Sequence, residues 1–176
     1  MPRRIFRFDR PDRFIVEAVG PPGERTFYLQ ARKGGAVVSV SLEKTQVIAL
    51  ATRMDQLLDV VGPTSDEGLG PDDDAPLEQP LVDLFRVGPM ALSWDAEAER
   101  VVVEAQPEQE DADFTDVADD EDGPDLVRVR LAPAEARDFV RRATRVVSSG
   151  RPACPFCGQP LEPTGHFCPR NNGHLN

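Results

Sequence analysis

Hydrophobic and polar positions alternate from Arg13 to Val19, the period of two that predicts a half-buried strand. Pro21-Pro22-Gly23 breaks this run with a turn. Arg25 to Ala31, rich in Thr, Phe, Tyr and Leu, predicts a second strand. Gly34-Gly35 supplies a hairpin turn, after which AVVSVSL alternates as a third strand. From Glu43 the period lengthens. Val47, Leu50, Ala51, Met54, Leu57, Leu58 and Val61 fall on one helical stripe, and Gly62-Pro63 ends it.

The second half repeats the order. Leu84 to Asp95, Glu99 to Gln106 and Leu126 to Leu131 predict three strands. Pro133 then opens a helix at the position that best tolerates proline. Its stripe is Ala136, Phe139, Val140, Ala143, Val146 and Val147. A shift of 89 residues lays Val38, Val40 and Leu42 on Val127, Val129 and Leu131, and Leu50, Ala51 and Met54 on Phe139, Val140 and Ala143. A shift of 75 pairs ERTFYLQA with ERVVVEAQ. The pattern predicts an α+β fold of duplicated β-β-β-α units. A three-stranded unit has an apolar face that its own helix covers only in part. Two units are therefore expected to join around a pseudo-two-fold axis into an antiparallel sheet carrying two helices. The expected boundaries are 1–62 for the first repeat, 63–83 for an acidic crossover linker, and 84–150 for the second repeat. Residues 151–176 form a C-terminal zinc-knuckle tail, ribbon-like in outline.

The net charge of −11 changes the picture once it is divided along the chain. Sixteen acids and no base lie in two runs, 64–78 and 107–125, so the remaining 15 acids face 20 bases and the body is mildly basic. Blocks of like charge repel themselves, which predicts a solvated, disordered loop at 107–125. The same loop is also a candidate shield over a basic surface. The longest apolar run, Val47 to Ala51, is far short of the roughly 20 residues a membrane helix needs. No apolar stretch follows the arginines of MPRRIFRFDRPDRF, so a soluble, cytoplasmic protein is expected.

All three cysteines and both histidines lie in CPFCGQPLEPTGHFCPRNNGH, residues 154–174. Cys154 and Cys157 are spaced for one tight turn to aim two thiolates at one ion, and Gly158 can close that turn. Cys168 supplies a third thiolate. His166, two residues before it, shares its face in an extended segment, while His174 follows in the last turn; either completes a tetrahedral set. Gly158, Pro160 and Pro163 deny the segment the helix that a redox cysteine pair needs. Three cysteines and a histidine make a closed, structural zinc site whose ligation energy substitutes for a missing core.

PGERTFYLQAR, SLEKTQV and FRVGPMALSWD in the body, together with this tail, resemble the actinobacterial family labelled domain of unknown function 3090 (DUF3090). The resemblance spans nearly the whole chain and implies a bacterial cytoplasmic protein with a metal-type tail. It brings no established activity, substrate or catalytic residue.

The body has no histidine, and neither G-x-G-x-x-G nor P-loop spacing occurs, so an enzyme would depend on carboxylates such as Glu17, Glu43, Asp95 or Glu104. Arg3, Arg4, Arg7, Arg10 and Arg13 alternate with Phe6, Phe8 and Phe14, a mixture suited to nucleic acid, and Arg137, Arg141, Arg142 and Arg145 form a second set on the polar face of the last helix. Against this stands the acidity of the whole chain. The expectation is a non-catalytic, zinc-binding adaptor that contacts a protein partner.

Overall fold

The computed structural model describes residues 2–21, 23–62, 73–110, 113–149 and 155–156. Seven strands and two helices follow in the order β1 (Ile5–Asp9), β2 (Arg13–Val19), β3 (Thr26–Lys33), β4 (Ala36–Leu42), α1 (Lys44–Val61), β5 (Asp83–Asp95), β6 (Arg100–Pro107), β7 (Leu126–Leu131) and α2 (Pro133–Ser148). This is the expected α+β class, with β1 added. The IFRFD segment alternates, but its arginine and aspartate sit among phenylalanines and the alternation reads as a basic arm.

All seven strands join one sheet in the order β1-β7-β6-β5-β4-β3-β2. β2-β3-β4 and β5-β6-β7 are antiparallel meanders, but β4 pairs with β5 in parallel and β1 with β7 in parallel. The expected pseudo-two-fold antiparallel sheet is therefore corrected. A two-fold axis would reverse the second meander, whereas the two meanders run in the same sense, side by side. The physical reason lies in α1. A helix between β4 and β5 carries the chain back to the starting end of the sheet, and a parallel pairing requires such a crossover.

The sheet must also curl. Laid flat, seven strands would put β1 and β2 about 29 Å apart. Asp9 and Arg13 are joined by four Cα steps, a reach of about 15 Å at most. The sheet closes toward itself, and α2 bridges the remaining gap. It packs along β2 and also meets β6, β7 and α1. Phe139 of α2 stacks on Phe14 of β2, with centroids 4.7 Å apart and planes inclined by 22°. Phe8, Val16, Leu29, Val40, Val103 and Val129 from the inner face share one core with Met54 and Leu58 of α1 and Ala136 and Phe139 of α2.

Helix termini match at the positions related by 89 residues. The Gln46 carboxamide accepts from the Glu43 N–H at 2.7 Å, and the Glu135 carboxylate accepts from the Ala132 N–H at 2.9 Å. Each is the back-reaching half of a capping box. At the end of α1, Gly62 takes φ 73° and donates to the Leu58 carbonyl at 3.1 Å.

Two connections cover the outer face. Residues 73–82 cross β2 to β4, where the Gln30 carboxamide accepts from the Glu78 N–H at 2.8 Å and donates to its carbonyl at 3.2 Å. On β6 the Gln106 carboxamide grips Thr115 in the same way, at 2.9 and 2.7 Å. The run 107–125 was expected to be disordered; its residues 113–125 instead lie against the sheet. Gln106, Arg3, Arg4, Arg7 and Arg128 hold them there.

Candidate functional site

The sequence-predicted ligands Cys154, Cys157, His166, Cys168 and His174 all lie outside the described residues. Among the described residues no cluster of His, Cys, Asp or Glu is arranged to hold a metal ion. The chemistry of the tail remains as the sequence presents it: three soft thiolates and an imidazole suit zinc.

The body offers a cleft of about 210 Å³ between the β1–β2 turn and α2. Curling of the sheet creates it, because the short turn Arg10-Pro11-Asp12 and the helix approach from opposite sides of the gap. Phe14, Ile15, Leu131 and Phe139 give it an apolar floor. Arg13, Arg141, Arg142 and Arg145 stand around it with Asp12, Asp73, Glu135 and Asp138.

Arg142 departs from the expected solvent-facing set. Only 4% of the residue is exposed. Its Nε donates to the Val16 carbonyl at 3.1 Å, capping the open edge of β2, and its Nη2 donates to Glu17 at 2.9 Å and to the Ala75 carbonyl at 3.0 Å. Its Nη1 donates to the Asp73 carbonyl. Arg13 supports the same strap, donating from Nε and Nη2 to the Asp73 carboxylate at 2.5 and 3.0 Å. That guanidinium holds the Asp73 carboxyl below the usual carboxylate range. The sequence carried a signal for Arg142, which sits three residues after Phe139 and four before Val146, inside the buried stripe.

The four carboxylates proposed for acid–base work do not converge. Glu17 binds Arg142, Glu43 binds Arg86, Asp95 binds Arg130 and Glu104 binds Arg128. Arg130 lowers the Asp95 carboxyl, which stays ionised beside it. The N-terminal arginines are likewise engaged within the chain: Arg4 with Asp125, Arg7 with Asp119, Arg10 with Glu135 and Arg13 with Asp73. Among the described residues no helix is long and apolar enough to cross a membrane.

Fold and site together define an α+β protein with a curled seven-stranded sheet, two helices and a charged-rimmed cleft on the bridging helix. The chain belongs to the family described as "Protein of unknown function (DUF3090)", which matches residues 6–168. Comparison with curated proteins and with solved structures finds no match.

Proposed function

We propose that this protein is a non-catalytic, zinc-binding adaptor that receives a side-chain anchor of a protein partner in the cleft beside α2. Cys154, Cys157 and Cys168 with His166 or His174 brace the tail that follows the helix. One observation carries the reading. The cleft has an apolar floor inside a charged rim, the anatomy of a protein–protein contact, and at about 210 Å³ it falls below the roughly 300–1,000 Å³ of small-molecule sites. Support also comes from the separation of Glu17, Glu43, Asp95 and Glu104, each bound to a different arginine. We read the body as a duplicated β-β-β-α unit in tandem, supported by the matching Gln46 and Glu135 caps.

The test is site-directed photo-crosslinking in the native host. A crosslinking residue at position 141 on the cleft rim captures a protein partner. The same residue at position 60, on an exposed face of α1, captures none, and replacing the three cysteines by serine weakens capture at 141. Equal capture at both positions, or none at 141, overturns the reading.

A further inference from the structure

The outer face of the sheet at β1 and β7 gathers three guanidinium groups around one carboxylate. Parallel pairing sets Arg7 directly opposite Arg128, and like charges so placed are unfavourable unless an anion stands between them. Arg3 joins them from the segment before β1. Asp119, carried by the β6–β7 connection, lies 2.8 Å from Arg7, 2.9 and 3.0 Å from Arg128, and 3.5 Å from Arg3. Glu104 on β6 accepts from the Arg128 Nε at 2.9 Å.

Three cations therefore face two carboxylates, and the donors are not all met. The Arg3 side chain is 2% exposed. Its Nη2 donates to the Val117 carbonyl at 2.6 Å, while its Nε and Nη1 have no hydrogen-bond partner among the described residues. Buried donors left unmet are costly. Asp119 is too far from Arg3 for a normal hydrogen bond. Its side chain is also 42% exposed on a stretch with no helix or strand, so its contacts with the arginines compete with water and weaken with salt.

We propose that Arg3, Arg7 and Arg128 form an acceptor for the carboxylates of an extended acidic segment of a partner protein. Asp119 and its loop occupy this acceptor as a resident pseudo-ligand until such a segment displaces them. The present occupant identifies the class. The site already holds an aspartate on non-helical chain, guanidinium forks match carboxylates, and the unmet donors of Arg3 call for a second one. The inference rests on the adaptor reading only in taking the partner to be a protein, and it needs neither the α2 cleft nor the tail.

The test titrates a fluorescein-labelled peptide, DFTDVADDEDGPD, which copies residues 113–125, into the full-length protein and its Asp119→Asn variant. Removing the resident carboxylate is expected to tighten peptide binding by about tenfold. Adding Arg128→Ala, or Arg7→Ala should that variant not fold, abolishes the gain, and added salt weakens it. Equal binding to both proteins overturns the proposal, as does binding indifferent to the arginines. Labelled single-stranded DNA is the parallel arm: a gain for DNA without one for the peptide makes the site a phosphate acceptor and also overturns it. Treatment with EDTA leaves the titration unchanged, so failure of the zinc reading and failure of this one are told apart.

Discussion

Arg142 ties three parts of the chain that are far apart in sequence: α2, the edge of β2, and residues 73–75. Without it the Val16, Asp73 and Ala75 carbonyls each lose a donor, and Glu17 loses its cation. Breaking a buried pair costs about 3–5 kcal/mol. Glu17 is partly exposed, so Arg142→Met is expected to lower the unfolding free energy by about 3 kcal/mol, the low end of that range. Urea denaturation measures it. Arg4→Ala removes an exposed pair in which Nε and Nη2 both donate to one oxygen of Asp125 and is expected to cost less than about 1 kcal/mol. Equal losses in the two variants would contradict the role given to Arg142. Periodicity placed Phe139, Ala143 and Val146 in the core without difficulty. It assigned Arg142 to solvent because a charge on a helix is expected to face water, and the carbonyls that receive it come from elements no local pattern connects to α2.

Among the elements, the two outer connections carry the most specific structure. Gln30 and Gln106 each use one side-chain amide to satisfy both backbone groups of a single residue. Gln106→Leu leaves the Thr115 N–H and carbonyl unbonded. Hydrogen exchange at Thr115 is expected to accelerate strongly while the amides of β6 and β7 keep their protection; unchanged exchange at Thr115 would refute the clamp. Gly88 marks a close approach, since a Cβ there would stand 2.8 Å from the Glu108 Cα and 3.0 Å from the Pro107 carbonyl. Pro89 follows it within the irregular register between Val87 and Met90, where a strand tolerates proline. Gly88→Ala is expected to lower the melting temperature by several degrees, corresponding to about 1–2 kcal/mol. Strands β2 to β7 and both helices were legible because alternation and helical stripes are local. β1 was not, since its partner β7 lies some 120 residues away. Alternation also fixes which face a residue takes but not which strand lies beside it, so tandem and two-fold arrangements read alike until the crossover through α1 is followed.

At the scale of the whole molecule, arginine–carboxylate pairs hold the outer coverings to the sheet and, at Asp95 of β5 and Arg130 of β7, join strand to strand. Arg13 lowers Asp73, Arg130 lowers Asp95, Arg128 and Arg7 lower Asp119, and Arg4 lowers Asp125. Each folded value lies beneath the unfolded one of about 3.9, so the stability they add is full above that pH and is lost as pH falls through the lower folded values. The melting temperature is expected to fall between about pH 4 and pH 2, by a modest amount for each pair because these carboxylates are largely exposed to solvent. Asp73→Asn begins lower at neutral pH and falls less over the same window; identical acid profiles would count against the pairs. The acidic loop was legible in its charge but not in its place, because the arginines that receive it are scattered from Arg3 to Arg128. The zinc part of the proposal rests on the tail, where the spacing of Cys154, Cys157 and Cys168 offers three thiolates to one ion. Its most direct test is metal analysis of the purified full-length protein beside a variant with Cys154, Cys157 and Cys168 all replaced by serine. The expected result is about one zinc per chain in the native protein and none in the variant. A native chain without zinc, or a variant that keeps it, would contradict the claim.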